Sequence, residues 1–359
     1  MKKRQHIMMT GGGTLGPVTP LLAIAQAWKK ADPDVHVTWV GTPRGPEKEL
    51  IESRGIPFMS LSAPKLSRHR IWLWPIIPFH FLGSCLYAAY LLRERKPDLI
   101  FTAGGFTSVP IVLVAWFLRI PTWVHQLDVK VGLANRLMAP LATHVSATWE
   151  ASLEALPAEK TSLYGGIVRA ELKEGHGRKF LERHGLDADR LTLFVTGGGT
   201  GAQSINLAMK SLASTLIKKM NVIHLTGKGK MIALPEAYKD RYVAVEMMNT
   251  EMVDALDAAD LVVSRAGMGT MMELIALKKP AIFLPIVGSQ QEENLVPVEQ
   301  IEAAVILRGP TPQHLKQEIL KLAKDEKSRG ELSRRLGGLL RMGAEHRIVK
   351  DARGLLEEG

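Results

Sequence analysis

The segment DLVVSRAGMGTMMELIALKKPAIFLPIVGSQQEEN, residues Asp260 to Asn294, shows the fold class most directly. It begins with the short β-branched run Leu261 to Val263, which is typical of a buried strand rather than a helix. A turn of small residues, Arg265 to Gly269, leads into a predicted helix over Thr270 to Leu277, and Ala281 to Pro285 is the next predicted strand. This order of strand, glycine turn, helix and strand predicts a parallel α/β unit.

The same segment has the groups of a nucleotide-sugar site. A helix that begins on glycine presents free backbone N–H groups, and the positive end of its dipole, to an anion. Glu273 lies one turn inside the helix, where a carboxylate can accept from the two hydroxyls of a ribose, and Gln290, Gln291 and Asn294 follow the next strand. The alternative is a βαβ unit whose glycine turn serves only packing, and this segment alone favours neither.

The composition limits the classes of protein. A chain of 359 residues is large for one core and suits two α/β domains. Its net charge of +10 predicts an anionic partner, and nucleic acid is the least favoured because we find no basic helix, zinc spacing or RNP-like aromatic strand. The single cysteine, Cys85, precludes an internal disulfide and fits a reducing cytosol. Only Ile7 to Met9 is apolar after the basic start, so we expect no secretion signal.

Three pairs of similar segments recur in the same order along the chain, which predicts two doubly wound, Rossmann-like halves. We expect the halves to face each other across a cleft at the carboxyl ends of both sheets. The first domain is predicted to span 1–165, with a C-terminal helix at about 342–359 crossing back onto it, and the second 166–341. The paired segments are Thr10 to Gly16 with Thr196 to Gly201, Val37 to Thr42 with Val222 to Gly229, and Asp98 to Gly105 with Asp260 to Gly267.

A dinucleotide cofactor is not favoured, although Gly11 to Gly16 contains the pattern GxGxxG. That pattern is weak without an acidic residue at the end of the second strand, where it reads a ribose hydroxyl. The second strand, Val35 to Val40, ends in Gly41-Thr42 instead. NAD therefore loses most of its support.

The segment Ile71 to Leu92 has no formally charged side chain. About 20 apolar residues can cross a bilayer, but two prolines and a glycine interrupt this segment, and it lies where the first half needs its third helix. Lysines and arginines flank it within 65–96, a pattern typical of a surface that lies in a lipid interface. We predict that Gly83 to Leu92 packs in the core and that Ile71 to Phe81 is partly exposed toward an anionic membrane. A buried helix with a basic rim is the alternative.

Together these motifs resemble glycosyltransferase family 28, which has the GT-B fold, over nearly the whole chain. The resemblance implies inverting transfer of N-acetylglucosamine from UDP-N-acetylglucosamine to the C4 hydroxyl of a polyprenyl-diphosphate-linked N-acetylmuramyl-pentapeptide, which is the lipid I to lipid II step of peptidoglycan synthesis. It also implies a peripheral enzyme at the cytoplasmic face of the membrane, with no cofactor or metal, because amides and a helix dipole neutralise the leaving UDP. The matching segments are Gly11 to Pro20, Gly41-Thr42, Ala103 to Gly105, His125 to Arg136, Val168-Arg169, Gly197 to Asn206, Thr226 to Gly229, Arg265 to Glu273 and Gln290 to Asn294.

The resemblance implies a role for each residue at a matching position. These roles are main-chain amides at the diphosphate, a carboxylate at the ribose, amides at the sugar, and a first-half loop on the opposite side of the cleft. By position, Met268, Gly269, Thr270, Met271 and Met272 meet the diphosphate, Glu273 the ribose, Asn249 the uracil, Arg169 and Gly199 the phosphate and sugar, Gln290 and Gln291 the sugar hydroxyls with Asn294 beside them, and Thr14, Leu15 and Gly16 the opposite side.

The chain departs from the family pattern around the expected base. Leu15 stands where the family has glycine, and Pro17 where it has the histidine that is the usual candidate base. Proline cannot move a proton, and an inverting transfer needs a carboxylate or imidazole near the attacking hydroxyl. We therefore hypothesise that Asp128, which replaces a family asparagine, is the base, with His125 as second candidate. The alternatives are that Asp128 hydrogen-bonds the donor or caps the following helix.

Two further functions fit the same sequence. One is a GT-B transferase with another lipid acceptor, because the segments expected to face lipid match the family least. The other is a catalytically silent UDP-sugar binder, which the replacement at Pro17 suggests. Release of UDP in the presence of the lipid acceptor separates the silent binder from the enzymes.

Overall fold

The computed structural model describes residues 4–65, 75–199, 201–248 and 251–358. The chain divides into two compact units, of which the first is Met1–Arg169 with Arg341–Gly359 and the second is Ala170–Leu340. The first unit extends a few residues beyond the predicted limit of 165. Ile167 belongs to its hydrophobic core, and Val168 is buried beside it.

The secondary structure alternates strands and helices through both units. The strands are β1 (His6–Thr10), β2 (His36–Gly41), β3 (Phe58–Ser60), β4 (Leu99–Thr102), β5 (Thr122–Gln126), β6 (His144–Ala147), β7 (Thr161–Leu163), β8 (Thr192–Thr196), β9 (Asn221–Leu225), β10 (Tyr242–Val245), β11 (Leu261–Ser264), β12 (Ala281–Phe283) and β13 (Val305–Ile306). The helices are α1 (Val18–Ala31), α2 (Glu47–Glu52), α3 (Ile77–Arg95), α4 (Ser108–Phe117), α5 (Leu133–Met138), α6 (Gly177–Arg183), α7 (Gln203–Leu216), α8 (Met252–Asp257), α9 (Met268–Leu277), α10 (Gln290–Gln300), α11 (Pro312–Lys324), α12 (Glu326–Gly337) and α13 (Ala344–Glu358).

The first unit contains a seven-stranded parallel sheet in the order β3-β2-β1-β4-β5-β6-β7. Alternate residues of β1 pack on opposite faces of this sheet. Ile7 and Met9 belong to the core cluster that includes α1, whereas Met8 belongs to the cluster that includes α3 and α4. A strand covered on both faces needs apolar residues in succession, which explains the unbroken run in β1.

The second unit contains a six-stranded parallel sheet in the order β10-β9-β8-β11-β12-β13, which repeats the order of the first six strands of the other unit. A matching hydrogen bond marks the duplication. Asp98 accepts from the amide of His6 at 2.8 Å, and Asp260 accepts from the amide of Thr192 at 2.8 Å. In each sheet, the carboxylate that precedes one strand fixes the start of its neighbour. The two doubly wound halves predicted from the sequence are confirmed.

Helix α3 differs from the prediction. Its buried residues form one narrow stripe, and Cys85 and Ala89 pack beside it against the same core cluster. The large apolar side chains of the opposite face are exposed along the helix. The prediction that Gly83 to Leu92 packs in the core is therefore wrong for the outer side of that segment, because a helix on a sheet buries only one face. Residues 71–74 of the predicted membrane-facing segment lie outside the described residues. The buried residues are Ser84, Ala88, Leu91 and Leu92, and the exposed ones at or near α3 are Ile76, Phe79, Leu82, Leu86, Tyr87 and Tyr90.

The C-terminal helix α13 completes the first unit. Ala344, Ile348 and Ala352 are buried in the cluster that includes α1, and the hydroxyl of Tyr164 donates to Asp351 at 2.7 Å. The preceding helix, α12, ends at Gly337 and belongs to the second unit. Across the residues that the structure describes, no helix is both long and apolar enough to span a membrane.

Candidate active site

The start of α9 in the second unit is open. Its N-cap residue, Gly267, has an extended backbone (φ −75°, ψ 134°) and offers no side-chain cap. A Cβ placed on Gly267 would meet no atom within 4 Å, so space lies beside the helix end. The side chains of Met268, Met271 and Met272 are buried. The helix therefore presents its first backbone amides to this space, which is the arrangement that binds an anion.

Two polar groups lie close to this helix end in the sequence. Thr270 and Glu273 are both partly exposed on α9, and Glu273 comes one turn after the open end. The contact between Glu273 and a ribose stays a prediction. The observed helix starts at Met268, earlier than the predicted Thr270, so Met268 and Gly269 belong to its first turn.

Arg265 joins the loops around the open helix end. Its guanidinium donates to the carbonyls of Leu284 and Pro285 at 2.7 and 3.0 Å, and to the hydroxyl of Ser204 at 2.8 Å. Burial lowers the pKa of Arg265 from its ordinary value. The side chain thus ties the turn after β11 to the end of β12 and the start of α7. No role for Arg265 was predicted from the sequence, although an arginine two residues before Gly267 is a visible signal.

A buried network holds the turn after β9. The side-chain amide of Asn206 donates to the carbonyls of Thr226 and Lys230 at 2.9 and 3.1 Å, and its oxygen lies 3.1 Å from Nε2 of His224. Because that oxygen only accepts, His224 carries its proton on Nε2, and Nδ1 accepts from the hydroxyl of Tyr242 at 2.8 Å. Burial lowers the pKa of His224 to about 4, so the ring stays neutral. The network fixes the backbone on both sides of the loop Gly227 to Gly229.

The loop after β12 presents two glutamines. Ser289 caps α10 by accepting from the amide of Gln291, and the side-chain oxygen of Gln291 accepts from the amide of Ile286 at 3.1 Å. Gln290 is exposed at the first position of the helix. Asn294, by contrast, is 2% exposed. The sequence predicts Asn294 as a substrate-binding residue beside the two glutamines, and its burial favours a positioning role instead.

The order of the sheet brings the predicted donor residues to one edge of the second unit. Strands β9, β8, β11 and β12 are successive neighbours, and the loops at their carboxyl ends carry these residues. Gly199, which is exposed, follows β8. Asn249, predicted at the uracil, lies outside the described residues. Arg169 is partly buried and belongs to the first unit.

A second set of loops meets at the carboxyl edge of the first unit. Strands β1, β4 and β5 are successive neighbours, and they end in the loop of Thr14, the Gly104-Gly105 turn and the loop of Asp128. Thr14 is exposed, and Leu15, Gly16 and Pro17 are partly buried after it. The N-cap residue of α5 is Gly132, so Asp128 does not cap that helix. Of the alternatives for Asp128, capping is wrong.

His125 is 0% exposed, and both its ring nitrogens have partners. Its Nδ1 lies 2.9 Å from the hydroxyl of Ser146, and its Nε2 lies 3.1 Å from that of Thr148. The indole of Trp123 donates to Ser146 at 2.8 Å. Burial lowers the pKa of His125 to about 3. The ring has no surface from which to reach an acceptor hydroxyl, and the geometry gives it a structural role.

The described part of the chain holds no group of three or more His, Cys, Asp or Glu residues arranged to bind a metal ion. Two carboxylates are predicted from the sequence to contact substrate, Glu273 and Asp128. They lie in different units, one beside the open helix end and one on the loop after β5.

The chain is similar to known proteins in sequence and in fold. The glycosyltransferase family 28 N-terminal domain matches residues 7–147, and the C-terminal domain of the same family matches 192–343. A relative from Lachnoclostridium phytofermentans is 38% identical over 83% of each chain, and one from Lachnospira eligens is 38% identical over 80% of this chain and 79% of its own. Both are named UDP-N-acetylglucosamine--N-acetylmuramyl-(pentapeptide) pyrophosphoryl-undecaprenol N-acetylglucosamine transferase. The crystal structure of Acinetobacter baumannii MurG has the same fold, with a TM-score of 0.73 at 24% identity over 99% of this chain and 100% of that one.

Proposed function

Because the chain belongs to glycosyltransferase family 28, we propose that it transfers N-acetylglucosamine from UDP-N-acetylglucosamine to N-acetylmuramyl-(pentapeptide) pyrophosphoryl-undecaprenol. This reaction converts lipid I to lipid II in peptidoglycan synthesis. The observation that carries the assignment is the open amide end of α9, with Gly267 leaving space beside it and Glu273 one turn inside.

The donor binds at this helix end. Its diphosphate accepts from the backbone amides that begin at Met268, and the helix dipole favours the negative charge. Glu273 accepts from the ribose hydroxyls, and Gln290 and Gln291 hydrogen-bond the sugar. When the bond between the anomeric carbon and the diphosphate breaks, charge builds on the leaving oxygen. Amides that are already oriented toward that charge stabilise it most in the transition state.

The acceptor's C4 hydroxyl attacks the anomeric carbon from the face opposite the diphosphate. A bond forms between the hydroxyl oxygen and the anomeric carbon, the electron pair of the broken bond leaves with UDP, and the configuration inverts. The hydroxyl proton passes to Asp128. This carboxylate is supported as the base by its partly exposed position at the carboxyl edge of the first unit, and by the burial of His125, the other candidate.

The outer face of α3 is supported as a membrane-binding surface. Phe79 is 77% exposed and Leu86 66%, and the end of α4 adds Phe117, which is 69% exposed. Exposed apolar patches of this kind mark sites of protein or membrane contact. Arg93 and Lys96 lie at the end of the same helix and suit anionic lipid headgroups. The protein therefore binds the cytoplasmic face of the membrane peripherally, where the undecaprenyl tail of its acceptor lies.

The test is release of UDP from UDP-N-acetylglucosamine with and without a lipid I analogue. The proposal expects release only with the acceptor, together with a product one N-acetylglucosamine heavier. Pro17 favours a silent UDP-sugar binder as the second candidate, and that candidate expects UDP binding without release under either condition. Release with a different lipid acceptor, and none with lipid I, would transfer the assignment to that acceptor.

A further inference from the structure

Glu47 is a buried carboxylate at the start of α2, and the mechanism above does not use it. Its side chain is 0% exposed. One oxygen accepts from the amide and the hydroxyl of Thr42 at 2.7 and 2.5 Å, and both oxygens lie 3.2 Å from the amide of Gly13. A carboxylate leaves water only where donors replace its hydration, so these bonds must compensate for its burial.

Glycines leave the space that this carboxylate fills. A Cβ on Gly12 would lie 2.1 Å from one oxygen of Glu47, and a Cβ on Gly45 would lie 1.9 Å from the other. A Cβ on Gly41 would lie 3.1 Å from the first oxygen. A side chain at Gly12 or Gly45 would therefore displace the carboxylate. The backbone forms a cradle for an anion, and the anion belongs to the chain itself.

The carboxylate takes the place of a phosphate in the GxGxxG loop after β1. In dinucleotide-binding proteins the amides of such a loop face a diphosphate. Here the amide of Gly13 faces Glu47, and the amide of Gly11 donates to the carbonyl of Val40 at 3.2 Å. These two amides are consequently engaged within the protein, and they hold the loop in one shape without a ligand.

The loop that Glu47 stabilises also packs against the Gly104-Gly105 turn after β4. Gly13 has a φ of +83° and directly precedes the exposed Thr14. A Cβ on Gly105, in the turn after β4, would lie 3.2 Å from the carbonyl oxygen of Gly12. The two turns thus pack backbone against backbone. A shift of Gly13 would move the loop that presents Thr14 and would disturb the neighbouring turn as well.

We propose that Glu47 is a positioning residue for the lipid-linked acceptor. As an internal anion, it fixes the loop of Thr14, Leu15 and Gly16 in the shape that receives the acceptor. It transfers no proton, because it has no surface from which to touch a substrate. This inference rests on the proposed function, since that function supplies the acceptor to be positioned.

The first test compares Glu47→Gln with Glu49→Gln. Glutamine keeps the size of Glu47, but its NH2 group faces amide donors and must lose at least one of their bonds. Charge-assisted bonds of this kind are the strong ones, so we expect the KM for the lipid I analogue to rise at least about tenfold. The KM for UDP-N-acetylglucosamine should stay within about twofold. Glu49 is exposed on the same helix, and its variant should change neither value.

The second test is rescue of Glu47→Ala by added formate, which can occupy the vacated cradle. Formate should raise the melting temperature of this variant and lower its KM for the acceptor, without either effect on the wild-type protein. If Glu47→Gln leaves the KM for the lipid I analogue and the KM for UDP-N-acetylglucosamine unchanged, or raises both equally, the proposal is overturned. A Glu47→Ala protein whose melting ignores formate would also overturn it. A wild-type protein without transferase activity refutes the proposed function instead, and formate-dependent melting still tests the cradle.

Discussion

The side-chain amide of Asn135 donates to the side-chain oxygen of Gln126 at 2.7 Å, and this bond orients Gln126 toward the Asp128 loop. Gln126 in turn donates to the carbonyl of Asp128 at 2.6 Å. Asn135 is 5% exposed and Gln126 2%, so the pair is part of the core. Two buried amides therefore fix the backbone that carries the proposed base.

Asp128→Asn should lower kcat about 10²–10⁴-fold, the usual contribution of general base catalysis. The change removes the proton acceptor and keeps the shape of the side chain. UDP binding, which depends on the second unit, should stay within about twofold of wild type by titration calorimetry. A variant with a near-normal kcat would refute Asp128 as the base.

Glu273→Gln should weaken UDP binding about tenfold, because a carboxylate bond to a hydroxyl is stronger than an amide bond. The ribose assignment is tested by repeating the titration with 2′-deoxy-UDP. Wild-type protein should prefer UDP, and Glu273→Gln should lose most of that preference. Equal preference in both proteins would place the contact of Glu273 elsewhere. Glu326→Gln is the control, because Glu326 is exposed at the start of α12.

Stability should fall as the pH decreases from about 6.5 toward 4. Burial lowers the pKa of His224 to about 4 and that of His125 to about 3, from an ordinary value of 6.5. Between the folded pKa values and pH 6.5, the unfolded chain binds more protons than the folded chain, so the free energy of unfolding rises with pH. This contribution to stability is fully present above about pH 6.5. Urea unfolding at several pH values measures this slope.

The variant His224→Gln should reduce the slope of the free energy of unfolding against pH by the equivalent of up to about one bound proton. It should also lower stability at neutral pH. His314→Gln is the control, because His314 is exposed at the start of α11. An unchanged slope in His224→Gln would show that another group causes the acid sensitivity.

Leu86→Asp should reduce binding to vesicles that contain anionic lipid at least about tenfold, since it removes an apolar side chain from the lipid interface and adds a charge that anionic lipid repels. Leu207→Asp is a matched control, because Leu207 is 57% exposed on α7 and Leu86 is 66% exposed on α3. UDP binding should survive in both variants. Equal loss of vesicle binding in the two variants, measured by sedimentation, would exclude α3 as the specific membrane surface.

Much of the fold was predictable from repeated motifs. The Asp-Leu pair before a strand recurs at Asp98 and Asp260, and each carboxylate bonds the neighbouring strand in the same way. A repeated motif with a local geometric purpose is visible in sequence. The open end of α9 was predictable for the same reason, since glycine before a helix determines what lies at its first turn.

Other features depended on contacts between distant residues. Sequence shows that α3 is apolar, but only packing shows that Ala88 faces the sheet while Leu86 faces solvent. Likewise, His125 has the residue type of a base, and its burial becomes visible only when Ser146 and Thr148 lie beside it. Glu47 shows no motif at all, because its partner Gly13 lies 34 positions away.

The most direct test of the donor site is the affinity for UDP of Gly267→Asp, measured by calorimetry against Gly267→Ala. The backbone at Gly267 is extended and its surroundings are open, so both side chains fit. Aspartate is a favourable N-cap that should stabilise α9 by about 1 kcal/mol relative to alanine, yet it occupies the amides and repels a diphosphate. We predict an unchanged or higher melting temperature, UDP binding weakened at least about 100-fold in Gly267→Asp, and near-normal binding in Gly267→Ala. UDP binding that is equally strong in both variants would contradict a diphosphate site at the start of α9.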